Sequence, residues 1–246
     1  KKIISMASNQ IHTVIPVTNL ALQRLLKIID NDVKTMVIPL GFNPDLHKYH
    51  FKLSESLYHK FVYIGTHSKV RQLEIILKAI VQSQKKVSYE ESTFHFYGAT
   101  KKDLNRLLKI DGVFQLTREK NIIVFHEYLN RVEIMAQLSQ YDVGLSLIPP
   151  LDIFLESSPT KVSEYLAMGL PVLASRGIEF HERMIEKNQL GWLSEFDIND
   201  ISNHLIKIYL SKKDFNDKKL LARNFAMKNL NYNDYADYFI NHIEKY

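Results

Sequence analysis

Short apolar runs rich in β-branched residues alternate with amphipathic segments along this chain, and this alternation limits the possible fold more than any other feature. Runs typical of strands are Ile11–Val17, Thr35–Leu40, Phe61–Gly65, Thr93–Gly98, Asn121–Phe125, Asp142–Ile148, Pro171–Ser175 and Gly191–Leu193. Segments with helical periodicity are Leu20–Ile29, Val70–Gln84, Lys101–Ile110, Asn130–Gln140 and Thr160–Met168. Alternating strands and helices pair in parallel through right-handed crossovers, so the sequence predicts a doubly wound parallel α/β sheet.

The same pattern predicts how the chain is divided. The main α/β domain is expected from residue 60 to residue 211, followed by helices over residues 212–246. Residues 1–44 form a helix–strand–helix–strand unit that is too short to close a sheet of its own. The polar and aromatic stretch 45–59 has no clear period and is interpreted as a linker.

The amino-acid composition limits the classes of protein to which the chain can belong. Of the 246 residues, 46% are hydrophobic and 24% charged, as in ordinary globular proteins. The chain has no cysteine, which excludes a disulfide framework and a thiol nucleophile and fits a reducing compartment. No apolar run is long enough for a membrane span and no signal peptide is visible, so we expect a cytoplasmic protein.

The net charge of +5 comes from scattered lysines, including the pairs Lys85-Lys86, Lys101-Lys102 and Lys218-Lys219. We interpret these pairs as solvated helix faces. Binding to an anionic lipid surface is the alternative. No RNA-binding or zinc-finger motif is present, so nucleic acid is not an expected partner.

Small, polar and charged residues follow the predicted strands, at the edge of a parallel sheet where ligands bind. They are Gly65 and Thr66 with Arg71 in the next helix, then Gly98, then His126, Glu127 and Tyr128, and finally the loop from Glu156 to Lys161. This edge is therefore the candidate site.

The segment from Glu156 onwards carries the most local information. Ser158 is a good N-cap and Pro159 fits the first helical position, so the backbone amides of Thr160 and Lys161 would be free to bind a phosphate. Glu164 lies one turn further on, where a carboxylate can accept hydrogen bonds from a ribose diol. These residues alone leave open the alternative of an ordinary helix start with solvated glutamates.

A longer pattern around this helix resembles the signature of family 4 glycosyltransferases. Residues 157–175 read SSPTKVSEYLAMGLPVLAS, and Glu156 and Glu164 have the family's spacing of seven intervening residues. Three weaker blocks precede it in the family's order: residues 37–44 (VIPLGFNP), Tyr63-Ile64-Gly65 with Arg71 downstream, and residues 141–149 (YDVGLSLIP).

The resemblance implies the Rossmann-like C-terminal half of a GT-B fold with a remnant of the N-terminal domain. It implies transfer, with retention, from a nucleotide-diphosphate sugar whose base and sugar are not specified. Glu156 would lie at the donor sugar and Arg71 would neutralise the leaving diphosphate, and these are the two candidate catalytic residues. Lys161 and Thr160 would bind the diphosphate, and Glu164 the ribose.

The remaining candidate donor-binding residues are Gly65, Thr66, Gly98, His126, Glu127, Tyr128 and Ser158, with the histidine, glutamate and tyrosine near the base. Three positions depart from the family pattern. Thr66 stands where an arginine is usual, which puts one phosphate contact in doubt. Pro159 stands near a position where the family usually has glycine. Gln72 stands at another position where glycine is usual, directly after the basic residue.

The resemblance covers only the last part of the family's N-terminal domain, which builds the acceptor site. We therefore expect this chain to bind a nucleotide sugar and to transfer little by itself. Its expected partners are the rest of that domain and a sugar or lipid-linked acceptor, with peripheral contact to the inner face of the membrane compatible with such acceptors.

Neither a metal nor a cofactor is expected. Asp30-Asn31-Asp32 matches the Asp-x-Asp pattern of metal-dependent transferases but is interpreted as a turn at a helix end. A nicotinamide-dependent dehydrogenase would need a Gly-x-Gly-x-x-Gly after a strand, which the sequence lacks. A non-catalytic nucleotide-sugar-binding or scaffold domain is the alternative function.

Overall fold

The computed structural model describes residues 13–29, 33–47, 51–53, 59–89, 92–211 and 215–243. Its strands are β1 Thr13–Val14, β2 Lys34–Thr35, β3 Lys60–Ile64, β4 Thr93–Tyr97, β5 Ile123–His126, β6 Val143–Ser146, β7 Val172–Ser175 and β8 Gly191–Ser194. Its α-helices are α1 Asn19–Leu25, α2 Pro44–His47, α3 Leu73–Gln84, α4 Lys101–Leu107, α5 Val113–Arg118, α6 Arg131–Leu138, α7 Asp152–Leu155, α8 Thr160–Ala167, α9 Glu179–His181, α10 Ile198–Leu210, α11 Phe215–Asn229 and α12 Tyr232–Ile243.

Strands β3 to β8 form one parallel sheet in the order β5-β4-β3-β6-β7-β8, which confirms the predicted doubly wound α/β fold. The strand order reverses between β3 and β6, so the crossovers leave in opposite directions on either side of this point. A crevice opens there beyond the carboxyl ends of the strands, where ligands bind in sheets of this type.

Both faces of the sheet are buried, which explains the unbroken apolar runs. Phe61 and Tyr63 of β3 belong to a core cluster with α3 and α10, and Val62 between them belongs to the cluster on the other face with α6 and α8. All three side chains are buried. Complete burial of such a side chain contributes about 1.5–3 kcal/mol, so β3 is held from both sides.

The N-terminal residues form a separate two-stranded parallel sheet, β1-β2, and pack beside the main sheet. Thr18 caps α1 and donates a hydrogen bond to the Glu156 carbonyl oxygen (3.0 Å). The Glu179 carboxylate accepts from the backbone N–H groups of Asn19 (3.1 Å) and Leu20 (2.7 Å). These contacts join α1 to the carboxyl edge of the main sheet.

The C-terminal helices contact both the N-terminal segment and the main sheet. Phe42 pairs with Asn231 in an isolated parallel bridge, just before α12. Lys219 of α11 is buried and its ammonium group contacts Asp142 Oδ1 (3.3 Å) at the start of β6. The prediction that the Lys218-Lys219 pair lies on a solvated face is therefore wrong for Lys219.

Several local expectations differ from the structure. The two predicted N-terminal strands shorten to two residues each within the described part, and short helices occur at α5, α7 and α9 where none was predicted. Gln72 has φ 50°, which breaks the predicted helix 70–84 into a 3-10 turn at Lys69–Arg71 and α3. The triplet Asp30-Asn31-Asp32 lies outside the described residues, and the domain boundaries stay predictions.

Candidate functional site

A cavity of about 270 Å³ opens at the carboxyl ends of β3 and β6, at the reversal of strand order. Five of the candidate residues line it: Gly65, Arg71, Thr160, Lys161 and Glu164. They come from the β3 loop, the 3-10 turn and α8, which the parallel sheet brings to one edge. The sequence-based hypothesis of a site at this edge is consistent with this placement.

Two cations dominate the cavity wall. The Lys161 ammonium group lies 4.0 Å from the centre of the Tyr63 ring, and the Arg71 guanidinium lies 4.4 Å from the centre of the Phe154 ring. Burial lowers the pKa of Lys161 to about 7, and the positive charge of Arg71 adds to this shift. Within the part of the chain that the structure describes, neither cation forms an ion pair, so this wall is suited to an anion.

Helix α8 begins at Thr160 with Pro159 as its N-cap, one residue later than Ser158 in the sequence-based expectation. Ser158 is buried, and its hydroxyl accepts a hydrogen bond from the Leu40 N–H (2.9 Å). The Ser163 hydroxyl donates to the Leu40 carbonyl oxygen (2.6 Å). Ser158 thus anchors the segment after β2 instead of facing the cavity.

The first turn of α8 is aimed at the cavity because Tyr165 fixes the helix on the sheet. The Tyr165 hydroxyl accepts a hydrogen bond from the Ile64 N–H at the end of β3 (2.9 Å). Its ring packs on Gly144 of β6, where an added Cβ would lie 2.3 Å from the ring. The N-cap Pro159 and the first two residues of α8, Thr160 and Lys161, line the cavity, so the N-terminal end of the helix faces it.

Glu164 is nearly buried, and its Oε1 atom accepts from Arg131 Nη2 at 2.9 Å. Burial raises the pKa of this carboxyl group, and the Arg131 charge and hydrogen bond oppose the increase. Arg131 is the first residue of α6 and is not among the residues predicted from the sequence. The local signal that could have indicated it is its place three residues after Tyr128, which lies in the loop that follows β5.

Glu156 lies beside the cavity, where its neighbour Ser157 is part of the wall. Its carboxylate forms an ion pair with Arg24 of α1, and its carbonyl oxygen accepts from Thr18. Both partners belong to the N-terminal segment. Nothing in the local sequence around Glu156 indicates them.

A second, largely apolar cavity of about 160 Å³ lies next to the first. It is lined by the candidates Gly65, Thr66, Gly98 and Tyr128, together with Ile64, Tyr97, Leu129 and Ile134. Gly98 has φ 103°, and a Cβ there would lie 2.6 Å from the Gly65 carbonyl oxygen, so only glycine allows the two loops to approach this closely.

His126 and Glu127 do not line either cavity. The His126 ring stacks on Tyr97 with 4.2 Å between centroids and hydrogen bonds to His95 (2.8 Å between ring nitrogens). His126 therefore supports the Tyr97 wall of the apolar cavity from behind. Glu127 is exposed on the following loop.

Two buried histidines at the same edge also lacked an assigned role. His181 donates from Nδ1 to the Ser175 carbonyl oxygen (2.9 Å) and accepts from the Ser146 hydroxyl (3.0 Å), which ties β6 to β7. Burial lowers its pKa and that of His67 to about 4, so both rings are neutral near pH 7. We interpret both as packing residues behind the site.

Among the described residues, no group of three or more histidine, aspartate or glutamate side chains is arranged to hold a metal ion. The described helices include none with the length and apolar character needed to cross a membrane.

Comparison with solved structures identifies the fold. The chain superimposes on sucrose-phosphate synthase from Thermosynechococcus elongatus with a TM-score of 0.71 and 15% identity, over 100% of this chain and 62% of that one. For Anabaena HepE in complex with UDP and glucose the TM-score is 0.72 at 15% identity, over 100% and 66%. For the pneumococcal O-GlcNAc transferase GtfA in complex with UDP and GlcNAc it is 0.73 at 14% identity, over 99% and 47%.

The chain thus spans about half to two thirds of the length of these structures. They are GT-B glycosyltransferases, and the chain has the Rossmann-like architecture of their C-terminal half. A comparison with curated protein sequences found no match.

A family model described as glycosyl transferases group 1 matches residues 47–224, which is more than half of the chain. The predicted resemblance to glycosyltransferases is confirmed at this level, while assignment to family 4 stays a prediction. The chain therefore belongs to the glycosyl transferases group 1 family.

Proposed function

We propose that this chain binds a nucleotide-diphosphate sugar and supplies the donor half of a glycosyltransferase that works with retention and without a metal. The observation that carries the proposal is the convergence of Lys161, Arg71 and the N-terminus of α8 on one cavity. A diphosphate is the part of such a donor that needs this much positive potential.

The two cations and the helix amides provide the chemistry that a metal would otherwise supply. Negative charge builds up on the diphosphate as the bond to the sugar breaks, and fixed positive groups stabilise that charge in the transition state. Lys161 and Arg71 line the same cavity, and neither forms an ion pair with a carboxylate among the described residues. Metal-independent transfer follows from this arrangement as a prediction.

The rest of the nucleotide fits the neighbouring groups. Glu164 lines the same cavity one helical turn beyond Lys161, so its carboxylate is placed for the ribose hydroxyls. The base would then enter the apolar cavity bounded by Tyr97, Tyr128 and Ile134. Two of the compared structures hold UDP, which makes UDP a suitable first probe.

Glu156 is proposed to lie at the donor sugar, on the side of the cavity that faces α1. Its ion pair with Arg24 would hold the carboxylate close to the reacting centre. The acceptor would come from the opposite side and is proposed to be a sugar or a lipid-linked sugar, bound with the help of further N-terminal residues. A cytoplasmic location with peripheral contact to the inner membrane face remains part of this proposal.

The proposal is tested by calorimetry and thermal shift with UDP, GDP, ADP and their common sugar conjugates, in the absence of divalent metal. We expect one nucleotide to raise the melting temperature, and both Lys161→Gln and Glu164→Ala to weaken its binding about tenfold or more. Lys109→Gln, the same change at an exposed lysine in the turn after α4, serves as the control. A folded protein that binds none of these ligands at millimolar concentration would favour the scaffold alternative.

A further inference from the structure

We propose that Arg131 is a positioning residue for donor binding: it orients the Glu164 carboxylate and keeps it ionised, so that the protein selects nucleotides with an intact ribose diol. This inference rests on the proposed function of Glu164. It adds a residue that lies outside the sequence pattern containing Glu164.

The position of Arg131 is fixed by its own helix. Asn130 caps α6, and Asn130 and Glu133 form a reciprocal capping box with hydrogen bonds of 2.9 and 3.0 Å. Arg131 directly follows this cap, so its backbone is held in place while the side chain reaches Glu164 on α8. Such a contact between two anchored helices can orient a carboxylate.

The ion pair links α8 and α6, which line the two adjoining cavities, and Ile64 and Gly65 at the junction line both cavities. Glu164 lines the polar cavity, and Ile134, one turn after Arg131 on α6, lines the apolar cavity. A nucleotide with its diphosphate in the first cavity and its base in the second would place its ribose at this junction. Arg131 uses Oε1 of Glu164, which leaves Oε2 as an acceptor for ribose hydroxyls.

A neutral carboxyl group would be a poor acceptor for two hydroxyl donors, so the charge on Glu164 matters. Burial raises the pKa of Glu164 and Arg131 opposes that increase. Lys161 and Arg71 face the same cavity, but burial lowers the pKa of Lys161 to about 7, so it is only partly charged at neutral pH. Tyr165, the next residue, is neutral because burial raises its pKa. Arg131 is therefore the main group that keeps Glu164 ionised.

The test compares UDP, GDP and ADP with their 2′,3′-dideoxy analogues by calorimetry at pH 6, 7 and 8.5. The proteins are the wild type, Arg131→Gln, Arg131→Lys, Glu164→Gln and, as a matched control, Arg118→Gln on the exposed surface of α5. The measured quantity is the ratio of the two dissociation constants, because effects on the diphosphate and base cancel in it.

We expect the wild type and the control to prefer the ribonucleotide about tenfold or more at pH 7, the size of effect given by hydrogen bonds to a charged acceptor. Arg131→Gln should lose most of this preference at pH 6 and recover part of it as the pH rises, because burial without the arginine favours the protonated carboxyl group. Arg131→Lys should keep most of it. Glu164→Gln should lose it at every pH, and adding Arg131→Gln to that variant should change nothing further.

An unchanged preference in Arg131→Gln would overturn the inference alone. If that variant also binds the ribonucleotide and the dideoxy analogue more weakly by the same factor at every pH, Arg131 contacts the phosphates or only supports the fold. If the folded wild type binds none of the six nucleotides, the proposed function fails and this inference fails with it.

Discussion

Arg24 of α1 forms an ion pair with Glu156, the first carboxylate of the glycosyltransferase-like pattern. The pair joins the short N-terminal unit to the loop before α8, and Thr18 adds a hydrogen bond to the Glu156 backbone. Glu179 binds the N-terminus of α1 from the other side. The candidate catalytic carboxylate is therefore positioned by residues that are distant in sequence.

We predict that Glu179→Gln loosens α1 from the main sheet. The carboxylate accepts from two backbone N–H groups at a helix N-terminus, so its loss should cost about 1 kcal/mol. Hydrogen exchange of residues 19–25 should become faster while exchange in β3 and β6 stays unchanged. Glu119→Gln, an exposed site, provides the same change of charge as a control. Equal exchange of α1 in both variants would contradict the role of Glu179.

Nucleotide affinity should depend on pH through Lys161. The pKa of its amine is about 7 in the free protein, and a bound diphosphate favours the protonated form. Binding should therefore be tightest below pH 7 and weaken as the pH rises through 7, by at most about tenfold per pH unit.

The measurement is calorimetry in buffers with different heats of ionisation, which also reports proton uptake on binding. Lys161→Gln should bind more weakly and lose this part of the pH dependence. If the variant keeps the full slope of the wild type, another group is responsible.

Gly144→Ala should destabilise the protein and deform the site. The added methyl group would lie 2.3 Å from the Tyr165 ring, and moving that ring breaks its hydrogen bond to Ile64. Overpacking of this kind costs about 1–3 kcal/mol, measurable by denaturant unfolding. Combined with Tyr165→Leu, which makes room, the loss should be smaller than the sum of the two single losses. Additive losses would indicate that the contact is not the cause.

Lys219→Met should be among the more destabilising single changes. It leaves the Asp142 carboxylate without its buried partner, which costs about 3–5 kcal/mol in comparable cases. Adding Asp142→Asn removes the remaining charge, and the double variant should regain part of the stability. Lys218→Met, at the neighbouring half-buried lysine whose ammonium group donates to the Gln189 carbonyl oxygen at the surface, should lower the free energy of unfolding much less. Equal effects at the two positions would disprove the buried ion pair.

The main sheet could be predicted from the sequence almost strand by strand. Runs such as Phe61–Gly65 and Pro171–Ser175 differ from the observed strands by at most one residue at either end, because burial on both faces demands continuous apolar residues. The helix that begins at Thr160 is also predicted, with its N-cap placed one residue early, at Ser158 instead of Pro159. Gly65, Arg71, Lys161 and Glu164 were expected at one edge because parallel strands place their carboxyl ends together.

Periodicity and strand-end position are local properties, so the residues alone predict the doubly wound sheet, the edge where the candidate side chains meet and residue types that would suit a diphosphate. Only the tertiary structure showed that Arg24 and Arg131 hold the two glutamates, that Ser158 binds Leu40 and that Lys219 is buried. Each of these contacts joins segments far apart in the chain. In the local sequence these charged and hydroxyl side chains cannot be distinguished from solvated ones. Their partners can be identified only from the packing of the folded chain.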